Sequence, residues 1–320
     1  MKLFRRKRRS GPKRIGLALG SGAARGAAHL GVLRALEEQG VRVEVVAGTS
    51  IGAIVGAAYA CGHWKAMAKA AVALSRSDVL PFLTDIRFRG GGLLDGGKVV
   101  RYLEQFMDRT PIEDLPVRYA AVATDLASGE AVVFTRGALM EAVRASMAIP
   151  GVFRPVVSGD RILVDGALAD PVPVRIAREL GADTVIAVDL NHDPMGSRAR
   201  AARREEAADE VEVQARKQRR AERPAVVRFM RQRWDAAMEP FRREDDDPKA
   251  PNLFAVLVDA LRIMETRVGD AMLEAHPPDV LIRPDVAYLG SEEFHRGGEA
   301  ERAGYDAARL ALRGAGLGRG

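Results

Sequence analysis

The chain has 320 residues, with 47% hydrophobic, 29% charged and only 5% aromatic side chains, and a net charge of +6. That composition excludes a wholly disordered or fibrous chain and suits one large domain, or a domain with an appendage. Cys61 is the only cysteine, which excludes an intrachain disulfide or a thiolate zinc cluster and makes a reducing compartment the default.

Residues 1–14 hold eight basic side chains (Lys2, Arg5, Arg6, Lys7, Arg8, Arg9, Lys13 and Arg14) and no acid, so the rest of the chain is at −2. The basicity is therefore an N-terminal tail. Such a tail suits anionic lipid head groups or nucleic acid through attractions that salt screens, or it is a solvated leader. Ile15–Ala24 imitates a signal peptide after it, but glycines and serines interrupt the run and Arg25 ends it.

Ile15–Leu19 reads as a strand ending in the turn Gly20–Gly26. Ala27–Gln39 has helical spacing, with Leu30, Leu33 and Leu36 on one side and Gly40 as the stop. Val41–Ala47 predicts a second strand and Ile51–Ala60 a helix of small residues. The stretch Val45–Trp64 has twenty residues without a charge, a transmembrane length. Its glycines and His63 make a poor lipid-facing surface, and a buried strand, turn and core helix account for it better. Residues 64–115 read as mostly helical, broken at Gly90-Gly91-Gly92. Tyr119–Thr124 and Ala131–Phe134 predict a hairpin across Ser128-Gly129. A helix follows over Ala138–Ala148, ending before Pro150, and a short strand over Arg161–Val164. Val174–Leu180 predicts a helix closed by Gly181, and Thr184–Asp189 a buried strand.

Residues 195–250 carry fifteen basic and twelve acidic side chains and few large apolar ones, which reads as a charged helical or disordered insertion. Leu253–Leu273 returns to amphipathic helix, Asp279–Ile282 is a last strand and Glu292–Leu312 a last helix. Strand, glycine turn, helix and strand in succession predict an α/β fold with a mostly parallel central sheet flanked by helices. The expected organisation is a tail over 1–14, a catalytic domain over 15–194, the insertion over 195–250, and a return over 251–320 that completes the domain.

Three features carry chemistry. Gly48-Thr49-Ser50-Ile51-Gly52 is a G-x-S-x-G motif between a predicted strand and a predicted helix. In that context the glycines allow a turn tight enough to expose the Ser50 hydroxyl at a helix N-terminus, where developing negative charge is favoured. The bland alternative is a serine capping a helix. The second feature is Gly20-Ser21-Gly22-Ala23-Ala24-Arg25-Gly26, whose backbone N–H groups can converge on an anion. A dinucleotide enzyme would use them for pyrophosphate, with Glu44 on a ribose; an acyl hydrolase would use them for an oxyanion. For the first reading the third glycine comes one residue late, with Arg25 in its place, and the next strand ends in the serine turn. The third is Asp165-Gly166-Ala167 after a short strand, which alone reads as an ordinary turn. A serine nucleophile needs a base, and the histidines are His29, His63, His192, His276 and His295. The chain order Ser50, Asp165, His192 fits a conventional triad, although His192 between Asn191 and Asp193 also reads as a loop residue.

Together, Gly20–Gly26, Gly48–Gly52, Ala145–Pro150 with Phe153 and Pro155, and Asp165–Ala167 resemble the four sequence blocks of the patatin-like phospholipases, in the bacterial branch related to neuropathy target esterase. The resemblance covers roughly Arg14 to Asn191. It implies a three-layer α/β/α fold and a serine acyl hydrolase of lipid esters, with a Ser–Asp dyad and no cofactor or metal. Carried over by position, Ser50 is the nucleophile and Asp165 the proton acceptor. Gly20, Ser21, Gly22 and Ala23 belong to the oxyanion hole, with Arg25 fixing that loop, and Gly48, Gly52, Gly166 and Ala167 are motif positions. The role of Ser146–Pro150 is not derivable from the residues. The expected substrate is a phospholipid or lysophospholipid, and the expected location is cytoplasmic. Peripheral contact with anionic membrane would run through the tail, with no specific nucleic acid as partner. The rivals are a Ser–Asp–His esterase using His192 and a non-catalytic lipid-binding regulator of the same fold.

Overall fold

The computed structural model describes residues 13–79, 92–94, 96–193 and 253–317. Two compact units divide the chain, 1–192 with 261–320, and 193–260. Most of the basic tail and all of the 195–250 stretch lie outside the described residues.

The first unit is built on one sheet. Its strands are β1 (Ile15–Leu19), β2 (Val43–Thr49), β4 (Arg118–Asp125), β5 (Ala131–Phe134), β7 (Val156–Ser158), β8 (Arg161–Asp165), β9 (Thr184–Val188) and β10 (Val280–Ile282). They pair in the order β10-β9-β1-β2-β4-β8-β7, with β5 also on β4. The first five in that order run parallel, and β5, β7 and β8 pair antiparallel. A separate parallel pair joins β3 (Gly92–Leu94) to β6 (Gly151–Phe153).

The helices are α1 (Ala27–Glu38), α2 (Ile51–Ala60), α3 (Trp64–Ala73), α4 (Arg76–Val79), α5 (Gly97–Leu103), α6 (Leu139–Ser146), α7 (Val174–Glu179), α8 (Leu253–Ala275) and α9 (Gly297–Gly314). Alternation along the strands separates two buried faces. Leu17, Leu19, Tyr119, Ile186 and Val188 pack with α1, α2 and α9. Ala18, Ala120, Val185 and Ala187 pack with Val174, Ile176 and Ala177 of α7 and Leu273 of α8. The result is a helix–sheet–helix sandwich, the three-layer α/β/α architecture. The α2 helix is buried almost all round, as expected for one with no polar face. The uncharged stretch from Val45 is thus strand, turn and core helix. No helix among the described residues is long and apolar enough to cross a membrane.

Several elements differ from the expectation. Residues 64–115 are mostly helical where described, as expected, but divided into short helices and 3-10 turns with β3 at the glycine break, and 80–91 lie outside the described residues. The strands β6 and β7 were not predicted; each has three residues, too few to show a period. The 138–148 helix ends at Ser146, and the last helix begins only at Gly297, after a 3-10 turn over Phe294–Arg296. Arg14, counted with the tail, is part of the fold. Its N–H donates to Asp183 Oδ2 at 3.0 Å, and its carbonyl accepts from Asp183 and Thr184 N–H.

The helices α1 and α9 cross at Gly31 and Gly304, and a Cβ on Gly304 would overlap the Ala28 carbonyl. Gly304→Val should therefore destabilise the fold by more than about 2 kcal/mol, read as a lower midpoint of chemical unfolding. A wild-type midpoint would contradict the close crossing.

Candidate active site

The site forms where two strand ends meet. The β2 strand pairs with residues 118–122 of β4, ending at Thr49 opposite Val122. The β8 strand pairs with the next residues of β4, with Asp165 opposite Ala123. Both must lie along the same edge of β4, because β5 occupies the other edge from Ala121 to Thr124. Running in opposite directions, β2 and β8 therefore bring Ser50 and Asp165 nose to nose.

The turn at Ser50 is strained. Its φ of 57° lies in the left-handed region, and Ala23 (φ 50°) is the other non-glycine residue with positive φ among those described. Such a conformation costs on the order of 1–3 kcal/mol and persists only where its surroundings impose it. Here the surroundings are tight: a Cβ on Gly52 would overlap the Leu19 carbonyl, and one on Gly48 the Gly52 carbonyl. Only glycine lets β1, β2 and α2 approach so closely.

Ser50 and Asp165 are both buried, at 5% and 3% exposure. The Ser50 hydroxyl donates to Asp165 Oδ2 at 2.6 Å. The other carboxylate oxygen, Oδ1, accepts from Ala167 N–H at 2.9 Å. Asp165 is also held through its backbone, its carbonyl accepting from Thr124 Oγ1 at 2.9 Å and its N–H donating to the Ala148 carbonyl at 2.9 Å. Burial, reinforced by the nearby Glu265 carboxylate, pushes the Asp165 carboxyl up to about 7, against the hydrogen bonds from Ser50 and Ala167.

Ser146 acquires a role that the sequence did not reveal. Its hydroxyl accepts from Ser50 N–H at 2.9 Å and donates to the Val122 carbonyl at 2.6 Å. It is a fully buried bridge between the Ser50 turn and β4. The signal was present in the Ala145–Pro150 block, but nothing local to it points to residue 50.

The glycine loop stands beside Ser50, and four of its N–H groups are committed outside the helices. Gly20 N–H donates to the Val188 carbonyl at 3.0 Å, Ser21 N–H to Pro171 at 2.9 Å, Ala24 N–H to Ser291 at 3.2 Å and Arg25 N–H to Gly22 at 3.1 Å. Gly22 and Ala23 N–H have no hydrogen-bond partner among the described residues, which narrows the expected oxyanion donors to these two. Arg25 is buried at 2% exposure and grips the loop. Its guanidinium donates to the carbonyls of Gly22 and Leu190, both at 3.1 Å, and to Asn191 Oδ1 at 2.8 Å. His29, fully buried, donates from Nε2 to the Gly20 carbonyl at 2.8 Å, and burial lowers it to about 4, so it is neutral.

His192 is elsewhere. No hydrogen bond among the described residues joins it to Ser50 or Asp165; its ring lies with Asp189 and Asp270, ligand atoms within 4.8 Å of one another. Arg283 already bridges those two aspartates, at 3.0 and 3.2 Å, so a cation there would have to displace a guanidinium.

Ser50 and Ala23 are among the residues that line an apolar cavity of about 220 Å³, walled also by Leu30, Ile54, Met67, Leu103 and Phe106. A hydroxyl, a carboxylate, two unpaired N–H groups and an apolar recess together suit acyl transfer from an ester with a hydrocarbon chain.

A family model described as patatin-like phospholipase matches residues 17–178. An uncharacterised NTE family protein of Mycobacterium tuberculosis is 35% identical over 338 aligned residues, covering 96% of this chain and 93% of its own. Mouse patatin-like phospholipase domain-containing protein 6 is 38% identical over 181 residues, 55% of this chain and 13% of that protein. The crystal structure of VipD from Legionella pneumophila aligns with a TM-score of 0.48 and 15% identity, over 95% of this chain and 67% of that one.

The Ser146 bridge yields a test. Ser146→Ala leaves Ser50 N–H and the Val122 carbonyl without their partner, and the expected result is a roughly tenfold or greater loss of kcat in a protein that still folds. Unchanged kcat would mean that the turn holds Ser50 in place by itself.

Proposed function

The chain belongs to the patatin-like phospholipase family and is a lipid acyl hydrolase; from that premise we propose that it cleaves carboxylic esters of phospholipids or lysophospholipids through a Ser50–Asp165 dyad and an acyl-enzyme. The observation that carries this reading is the 2.6 Å hydrogen bond from the Ser50 hydroxyl to a buried carboxylate, with no histidine between them.

Ser50 Oγ attacks the acyl carbonyl and its proton passes to Asp165 Oδ2. The oxyanion that forms is received by Gly22 and Ala23 N–H, each such donor worth about 3–4 kcal/mol of barrier. Asp165 returns the proton to the leaving alcohol as the tetrahedral intermediate collapses. A water then gives its proton to Asp165 and attacks the acyl-enzyme, and Ser50 Oγ recovers a proton as the fatty acid leaves. An ordinary aspartate near 3.9 is a poor base at neutral pH; one held up to about 7 is matched to the task. The acyl chain lies in the cavity lined by Leu30 and Ile54, where burial of its methylenes supplies binding energy at about 0.8 kcal/mol each.

A serine-directed fluorophosphonate should add once, at Ser50, and Ser50→Ala should abolish both adduct and turnover. Asp165→Asn should cost orders of magnitude in kcat while His192→Ala keeps most of it. Because Asp165 works only when ionised, kcat/KM on a soluble short-chain ester should rise with pH and level off above about 7. An active Asp165→Asn variant, or a flat profile through neutrality, would overturn the dyad.

We further propose that the basic tail brings this enzyme, from the cytoplasm, to anionic membrane. The support is charge. Eight basic residues stand in the first fourteen of a chain otherwise at −2, and each near an anionic leaflet contributes about 1 kcal/mol. Since Arg14 is held by Asp183, the test deletes residues 2–12. The truncated protein should lose salt-sensitive binding to anionic vesicles and keep hydrolysis of a soluble ester. Equal vesicle binding would return the tail to a solvated leader.

A further inference from the structure

We propose that Glu265, on α8, is a positioning residue of the reaction: it braces the oxyanion loop through Ser21 and Asn191, and its charge acts on the Asp165 carboxylate. The inference rests on the dyad reading above.

The bracing is a chain of hydrogen bonds behind the loop. Arg25 donates to Asn191 Oδ1 at 2.8 Å, and Asn191 Nδ2 donates to Ser21 Oγ at 2.8 Å and to Glu265 Oε2 at 3.2 Å. The Ser21 hydroxyl then donates to the same Oε2 at 3.3 Å. Glu265 is the terminal acceptor, so every proton in the chain is ordered by it. Ser21 directly precedes Gly22, the first of the two loop residues with an unpartnered N–H. Loosening Ser21 therefore moves an oxyanion donor, and a misplacement of about 1 Å can cost about a hundredfold in rate. The α8 helix is seated there by two further links: Thr266 Oγ1 donates to the Asn191 carbonyl at 3.3 Å, and Asp270 pairs with Arg283 at 3.2 Å.

The electrostatic part follows from the same placement. Among the described residues, Arg25, from the turn before α1, acts on the Glu265 charge, and that charge acts on Asp165 at the end of β8. Asp189, at the end of β9, is neutralised by Arg283 at 3.0 Å, and His29 of α1 is uncharged. Burial pushes the Glu265 carboxyl up, while Arg25, Ser21 and Asn191 favour its anion. The Glu265 anion in turn makes the Asp165 anion costlier and raises its proton affinity.

Glu265→Gln keeps an acceptor for Ser21 but removes the charge. Its acidic limb in the pH profile of kcat/KM should move down by about half a pH unit or more. Glu265→Ala removes both functions, and should lower kcat about tenfold with little change in KM, a loss that Glu265→Gln largely restores. A purely structural role would leave the acidic limb where it is. An unshifted limb in folded Glu265→Gln, alongside an inactive Asp165→Asn, overturns this inference and leaves the dyad standing. An active Asp165→Asn removes the dyad and this inference with it.

Discussion

The strand β4 has eight residues, and β2 uses only the first part of its edge. The remaining edge must find another partner, since unpaired backbone groups buried beside the sheet are costly. Antiparallel β8 supplies it, and this one backbone demand makes the site. Two chain ends 115 residues apart in sequence arrive at one point, where a serine hydroxyl and a carboxylate lie 2.6 Å apart. Ser146 then ties the arrangement to the Val122 carbonyl of β4 itself. Ser50, Asp165 and the Ser146 brace all refer to a single strand.

Electrostatics explains why so much polar material is buried around that point. Asp165, Arg25, Asn191 and Ser21 are each at most 5% exposed. Burying such groups is tolerable only when their hydrogen bonds are made. The network ending at Glu265 meets that condition for the loop, while Asp165 keeps two hydrogen bonds and a raised proton affinity. Low dielectric surroundings that make an ionised aspartate costly also make it a better proton acceptor near neutral pH. Backbone strain is concentrated here as well, since the non-glycine positive φ values among the described residues belong to Ser50 and Ala23. Both are spots where a backbone or a hydroxyl must face the cavity rather than the core.

The surrounding frame is correspondingly plain. The strands next to the site carry Ala, Val and Leu, and α2 is made of Ile, Val, Gly and Ala with one tyrosine. Small side chains allow helix and strand backbones to approach closely, which leaves room for an apolar recess next to Ser50 without opening the layers. Membership of the patatin-like phospholipase family accounts for the reaction class; the recess supplies an apolar surface beside Ser50.

By itself the sequence determined the local features. The parallel strands β1, β2 and β9, the helices α1 and α2, and the two glycine turns were legible because periodicity and turn chemistry are short-range properties. Ser50 stood out for the same reason: the motif, the strand before it and the helix after it are contiguous. Asp165 was a turn residue until a base was required, and the choice between it and His192 rested on a resemblance. Only the tertiary structure brought Asp165 to Ser50 and left His192 beside Asp189. It also decided which loop N–H groups are spent, gave Ser146 its bridge and brought Glu265 to Ser21. The joins of Ser50 to Asp165, Ser50 to Ser146 and Ser21 to Glu265 each span at least 96 positions, and strand pairing along β4 and the docking of α8 are cooperative outcomes of packing that no local pattern encodes.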